Sequence, residues 1–83
     1  MPPVRSDRHL AFGEAIRELR NERGISQEAL ALECDLDRTY VGGIERGELN
    51  PSLTSVFKIA DALQVGAAEI HARADAILAA SRR

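Results

Sequence analysis

The sequence predicts an all-α fold built from five helices. Its 83 residues are enough for one domain with a single compact core. Apolar residues make up 45% of the chain but aromatic residues only 4%. Small aliphatic side chains therefore have to fill the core, which suits closely packed helices. Because successive segments place these side chains at helical spacing, one small helical domain is expected.

The first two helices have recognisable ends. Helix 1 is predicted from about Arg8 to Arg23, and Gly24 supplies its stop. Its apolar face recurs at intervals of three and four residues, at Phe12, Ile16 and Leu19. Helix 2 begins after Ser26, whose hydroxyl suits an N-cap, and ends near Glu33 or Cys34. Helix 1 should be long and helix 2 short.

Capping residues also mark helices 3 and 4. Asp37 is expected to cap helix 3, which runs to about Arg46, with Gly47 just past its end. Pro51 prevents the preceding segment from continuing as helix, and Ser52 caps helix 4. Helix 4 should close the core through a buried stripe formed by Leu53, Val56, Ile59, Ala60 and Leu63.

Helix 5 is predicted from about Ala67 to Ser81. Its apolar stripe consists of Ile70, Ala74, Ile77 and Leu78. This stripe either folds back on the chain's own core or packs against the same helix of a second subunit. We expect the second arrangement, a homodimer in which residues 67–83 are the dimerisation element. Residues 8–66 then form the main domain, preceded by a flexible segment at residues 1–7.

The charge balance is the main argument against a nucleic-acid partner. The formal net charge is −2, whereas proteins that bind phosphates usually carry an overall basic footprint. The distribution softens that objection, because arginines lie near both chain ends, at Arg5, Arg8, Arg82 and Arg83. Because the net charge is nevertheless negative, non-specific affinity for DNA should be weak.

One cysteine and two histidines leave little room for catalytic or metal chemistry. Cys34 lies on the apolar side of helix 2, where a lone thiol is typical of a small buried hydrophobe. His9 and His71 lie on different predicted helices and are expected to be solvated. No phosphate-binding loop, nucleophile motif, membrane-spanning run or signal peptide is recognisable. We expect a cytoplasmic protein that is not an enzyme and has no cofactor, metal, membrane or small-molecule ligand.

Residues 26–47 have the layout of a helix-turn-helix, in which the second helix enters the major groove of DNA. The sequence reads Ser-Gln-Glu-Ala-Leu-Ala at 26–31, Leu-Asp-Arg-Thr-Tyr-Val at 36–41, Ile-Glu-Arg-Gly at 44–47 and Asn-Pro-Ser-Leu at 50–53. Over about residues 10–65 it resembles the Cro and repressor (Xre) family, and its helix 3 is similar to that of restriction-modification controller proteins. The resemblance implies a repressor-like DNA-binding domain at residues 8–66 and double-stranded DNA as the partner.

The resemblance also implies roles for the residues that open helices 2 and 3. Gln27 would donate to a phosphate at the start of helix 2. Arg38 and Thr39 would read base edges, because Arg can pair with guanine through two hydrogen bonds and Thr offers a hydroxyl or a methyl group. Tyr40 either bonds a phosphate through its phenol or is a half-buried core residue.

Further positions follow later in helix 3 and in the next loop. Gly42 and Gly43 are costly inside a helix, so either the backbone approaches the DNA groove closely there, as we expect for Gly43, or both are small surface residues. The resemblance implies phosphate contacts from Arg46 and Asn50. It also implies a structural ion pair that links Glu45 of helix 3 to helix 1, where the partner is Arg20.

The turn between helices 2 and 3 departs from the family pattern. Asp35 occupies the position where this turn usually has glycine because a positive φ is needed. Asp is one of the few other residues that tolerate that conformation. The motif should therefore survive the substitution.

The sequence is compatible with two functions. The leading hypothesis is a homodimeric transcriptional regulator that binds a near-palindromic operator through helix 3 in successive major grooves. The alternative is a protein-interaction module, such as an antitoxin-like partner of a toxin, which the net acidity and the stripe of helix 5 would suit.

Overall fold

The computed structural model describes residues 5–83, and these form five α-helices without any strand. The helices are α1 (Asp7–Arg23), α2 (Gln27–Glu33), α3 (Arg38–Glu45), α4 (Leu53–Leu63) and α5 (Ala67–Ser81). The predicted all-α class is confirmed, and the predicted helix ends agree to within about a residue. Of the predicted N-terminal segment, residues 1–4 lie outside the described part of the chain, whereas Ser6 already caps α1.

Side-chain caps explain why the first four helices begin where they do. The side chains of Ser6, Ser26, Asp37 and Ser52 accept hydrogen bonds from backbone N–H groups in the first turns of α1 to α4. Such a cap stabilises a helix by about 1 kcal/mol. Gly24 ends α1 with a φ of 70°, and the predicted positive φ at Asp35 is confirmed at 54°.

The core receives buried side chains from all five helices, and α5 packs most extensively against α1. Ile16, Ile59 and Ile70 are fully buried at its centre. Cys34 is buried as predicted, and its burial raises the pKa of the thiol. On the surface, Arg73 of α5 pairs with Glu18 and Glu22 of α1.

Two predictions about buried faces need correction. Leu53 is 67% exposed, because it is the first residue of α4 and lies beyond the edge of the core that the rest of its stripe enters. In α5, Ile70, Ala74 and Leu78 are buried in the core of their own chain, and only Ile77 stays partly exposed. These three side chains are therefore not available for the dimer contact that we predicted for the whole stripe.

The approach of α1 to α3 is set by a residue that the sequence analysis did not single out. Gly13 faces the end of α3, and a Cβ atom there would lie 2.7 Å from the carbonyl carbon of Glu45 and closer still to the carbonyl oxygens of Ile44 and Glu45. Backbone atoms cannot rotate away as a side chain can. The absence of a side chain at Gly13 thus allows α3 to pack directly on α1.

Two further findings concern the part of the chain that the structure describes. No helix there has both the length and the hydrophobicity needed to cross a membrane. Within the same residues, no three His, Cys, Asp or Glu side chains come together in a way that could bind a metal ion.

Candidate nucleic-acid interface

Helices α2 and α3 form a helix-turn-helix. Leu30 and Ala31 of α2 are buried together with Val41 and Ile44 of α3, so the two helices share a small apolar contact. The turn between them positions Asp37, whose side chain caps α3 by accepting from the N–H of Thr39 at 3.1 Å. This geometry leaves the beginning of α3 as an exposed helix end.

A buried ion pair fixes α3 to α1, as the sequence analysis predicted. Arg20 donates from Nε to Glu45 Oε2 at 2.8 Å and from Nη2 to Glu45 Oε1 at 3.1 Å. The side chain of Glu45 is only 2% exposed and that of Arg20 12%. Arg20 also donates from Nη1 to the carbonyl of Ile25 at 2.8 Å, so it connects α1, α3 and the loop before α2.

Gln27 belongs to the same network. Its Nε2 donates to Glu45 Oε1 at 2.9 Å, and the residue is partly buried. This hydrogen bond was not foreseen, since the resemblance implied only a phosphate contact. Glu45 consequently receives three hydrogen bonds, which satisfy a carboxylate that is nearly excluded from water.

Arg38 and Thr39 lie at the exposed start of α3. Among residues 5–83, Arg38 takes part in no ion pair, in contrast to Arg20, Arg46 and Arg73. Its guanidinium group therefore keeps all of its donors available to an external acceptor. The predicted role of both residues in reading bases stays a prediction.

Tyr40 is half-buried against the core, which agrees with the second of its two interpretations. Its phenol oxygen accepts the backbone N–H of Ser52 at 3.4 Å, next to the start of α4. The hydroxyl hydrogen is not used in that bond, so Tyr40 still has one donor for a phosphate. Both interpretations can hold for different ends of the same side chain.

The two glycines of α3 are buried, so the interpretation of both as surface residues is wrong. Leu49 covers Gly43, where an added Cβ would lie 2.5 Å from Leu49 Cδ1. Gly43 therefore packs under a side chain of its own chain, which also corrects its assignment as a DNA contact. At Gly42, the neighbours of an added Cβ would be the side-chain ends of Arg46 and Gln27.

Arg46 shares a carboxylate with Arg5, which lies just before the N-cap of α1. Glu48 forms an ion pair with Arg46, whose Nε lies 3.2 Å from Oε1, and accepts a hydrogen bond from Arg5 Nη2 at 2.9 Å. The hydrogen bond from Arg5, followed by that from Arg46, holds the pKa of Glu48 below its usual value. Sequence analysis missed Glu48, although an acid two residues after a predicted phosphate contact is a visible signal. Arg46 is thus exposed but partly neutralised.

Asn50 is exposed, and it is bonded to a histidine of α1. His9 Nε2 and Asn50 Oδ1 are 3.1 Å apart, while His9 Nδ1 and the hydroxyl oxygen of Ser6 are 2.5 Å apart. His9 is only partly buried, which is compatible with the expected contact with solvent, but its ring also has these two partners within its own chain. No sequence pattern connects positions 9 and 50, which the fold brings together by packing the loop after α3 against the start of α1.

The chain is similar to known helix-turn-helix proteins. The family model described as Helix-turn-helix (HTH_3) matches residues 16–70. The control protein C.BamHI from Bacillus amyloliquefaciens is 51% identical over 57 residues, which cover 68% of this chain and 70% of that protein. The control protein C.MunI from Mycoplasma sp is 39% identical over 66 residues, covering 78% of this chain and 89% of the relative.

Solved structures lead to the same group of proteins. The restriction-modification controller protein C.AhdI from Aeromonas hydrophila superposes with a TM-score of 0.73 at 49% identity, covering 74% of this chain and 92% of its own. The controller protein C.Esp1396I has a TM-score of 0.82 at 31% identity, covering 90% and 97%. The similarity therefore includes the helix-turn-helix and most of the remaining fold.

Proposed function

The chain belongs to the Xre-type helix-turn-helix family of DNA-binding regulators, and we propose that it binds a specific DNA site as a homodimer, with α3 in the major groove. This family is not a family of enzymes. The observation that carries the proposal is Arg38, which is exposed and, among residues 5–83, takes part in no ion pair, at the start of a helix that a buried network holds in place.

The buried network is what makes base reading by α3 physically reasonable. A side chain that discriminates between bases has to be held in register with them, since a shift of a few tenths of an ångström spoils a pair of hydrogen bonds. Glu45 is bonded to Arg20 of α1 and to Gln27 of α2, so α3 cannot rotate about its own axis independently. Arg38 and Thr39 then point from a rigid support.

Phosphate contacts would surround the base-reading residues. Arg46, Asn50 and the phenol of Tyr40 are donors on or just after α3, and such contacts position the protein without reading sequence. Because Glu48 already neutralises part of Arg46 and the chain carries a net charge of −2, the purely electrostatic share of the affinity should be small. Specific base contacts would then make up a large part of the selectivity.

The role of Arg38 is tested by replacing it with alanine and titrating a selected DNA site at fixed salt. We expect a loss of about 1–3 kcal/mol of binding free energy together with weaker preference at one base pair of each half-site. Lys58→Ala is the matched control, because Lys58 is an exposed cation on α4 that lies outside the proposed contact set. Equal losses from both variants would mean that Arg38 contributes only charge.

The homodimer requires a contact other than the buried residues of α5. Leu53 and Phe57, one turn apart on α4, are 67% and 50% exposed. Leu53 borders an open groove of about 410 Å³ whose apolar lining includes Phe12, Val56, Ala74 and Leu78. A twofold axis would place Leu53 of each subunit in the groove of the other. Arg8 and Asp75, both at this groove, supply opposite charges for pairing across the axis.

Leu53→Glu is expected to convert the dimer to a monomer, since the carboxylate would lose its hydration against the apolar lining of the groove. The substitution leaves the monomer stable because Leu53 is exposed at the first position of α4, where a negative charge is favoured. Sedimentation equilibrium measures the mass, and Leu32→Glu at an 83% exposed site on α2 is the control. A Leu53→Glu protein with wild-type mass would place the dimer contact elsewhere.

A further inference from the structure

A continuous chain of hydrogen bonds connects the N-cap of α1 to a residue of the proposed DNA face. Ser6 Oγ accepts the backbone N–H of His9 at 3.2 Å as the cap of α1. The same oxygen lies 2.5 Å from His9 Nδ1, and His9 Nε2 lies 3.1 Å from Asn50 Oδ1. Three side chains from two separate segments thus form one connected unit.

The direction of each bond follows from the chemistry of the groups. An amide oxygen can only accept, so His9 Nε2 must carry the hydrogen that is donated to Asn50. In neutral imidazole, Nδ1 is then an acceptor and receives the hydroxyl hydrogen of Ser6. In the protonated ring, Nδ1 donates to Ser6 instead, and the bond from Nε2 to Asn50 is the same. The orientation of the Asn50 amide is therefore fixed in both states of the ring.

Fixing the oxygen of Asn50 also fixes its nitrogen. With Oδ1 held by His9, the two N–H groups of Nδ2 face away from the histidine, and among residues 5–83 they have no hydrogen-bond partner. Asn50 is exposed, so these two donors are open to solvent. A freely rotating amide would present its oxygen to the same place half of the time, and an amide oxygen repels a phosphate.

We propose that His9 is a positioning residue, which holds the amide of Asn50 so that its NH₂ group faces a DNA phosphate. The proposal rests on the proposed function, because it assumes that the loop after α3 approaches the DNA backbone. His9 itself does not touch the phosphate. It acts through Asn50, and it couples the start of α1 to the end of the helix-turn-helix.

Two substitutions of His9 test the roles of its two ring nitrogens separately. In His9→Gln, the side-chain NH₂ group occupies about the position of Nε2 and can still donate to Asn50. In His9→Asn, the shorter amide occupies about the position of Nδ1, so it can reach Ser6 but not Asn50. The two variants differ by one methylene and by only a few tenths of a kcal/mol in helix propensity, and a urea unfolding curve for each protein checks that α1 is retained.

The experiment measures the affinity of each variant for a DNA duplex that the wild-type protein selects from a random pool. We expect His9→Asn and Asn50→Ala each to weaken binding about 3- to 10-fold, the effect of one hydrogen bond, and the double variant to be no weaker than Asn50→Ala alone. His9→Gln should bind within about twofold of wild type. A merely structural role of His9 would not produce this rescue or this lack of additivity.

Other outcomes separate the inference from the proposed function. The positioning role would be overturned if the affinity losses of the two single variants multiplied in the double variant. It would also be overturned if His9→Asn or Asn50→Ala bound DNA as tightly as wild type. In either case the regulator itself would still bind DNA. If the wild-type protein bound no duplex, the proposed function would fail, and the inference with it.

Discussion

Replacement of Arg20 by alanine is expected to destabilise the protein by about 3–5 kcal/mol, the cost of leaving a buried charge without its partner. Glu45 would keep only the hydrogen bond from Gln27, while its side chain, 2% exposed in the native structure, has little access to water. The carbonyl of Ile25 would also lose its donor. Because a domain of this size has a total stability of only about 4–12 kcal/mol, the transition should move far toward low urea.

Urea unfolding followed by circular dichroism measures this effect, and Arg17→Ala is the matched control. Arg17 lies on the same helix, but its side chain is 56% exposed and its contact with Glu14 is 3.9 Å long. Truncating it should change stability by less than about 0.5 kcal/mol. If Arg20→Ala were as mild as the control, Glu45 would have another source of stabilisation, and the network could not be what holds α3 in place.

The substitution Gly13→Ala is expected to destabilise the protein by about 1–3 kcal/mol through overpacking. The added methyl group would meet the carbonyl groups of Ile44 and Glu45, which belong to the backbone of α3. These atoms can yield only if α3 moves away from α1 as a whole, and that movement would also stretch the bonds between Arg20 and Glu45. The loss therefore exceeds the gain of about 1 kcal/mol that alanine usually brings to a helix.

Gly42→Ala provides the contrasting case within a helix of the same protein. Its methyl group would meet the flexible end of Arg46 at 3.0 Å, and this side chain can move aside. We expect Gly42→Ala to be neutral or to stabilise the fold by up to about 1 kcal/mol. Thermal unfolding of the two variants side by side decides the question. Similar melting temperatures for both would show that α1 and α3 are not in the tight contact described.

Much of the local structure could be predicted from the sequence, because helix ends depend on neighbouring residues. Ser26 and Asp37 cap their helices through bonds to backbone groups two or three residues later, and Gly24 ends α1 by adopting a positive φ. These interactions do not depend on the rest of the fold. The sequence also predicts the Arg20–Glu45 pair, but only through the resemblance to a family.

The errors arose where a face or a contact is decided by tertiary packing. The spacing of Leu53 fits the buried stripe of α4, yet the core ends before its side chain, which leaves it exposed. The stripe of α5 has an apolar pattern that suits either a core or a subunit contact, and the pattern cannot distinguish them. Two contacts depend on how the loop after α3 folds back. They are the hydrogen bond between His9 and Asn50 and the packing of Leu49 over Gly43.

Selection of DNA sites by the wild-type protein from a random duplex pool, at near-physiological salt, tests the central claim most directly. A homodimer with α3 in successive major grooves should enrich an inverted repeat whose half-sites are separated by about one helical turn, roughly 10 base pairs. Failure to enrich any sequence, at low salt as well, would contradict the account and favour the alternative, a module that binds other proteins.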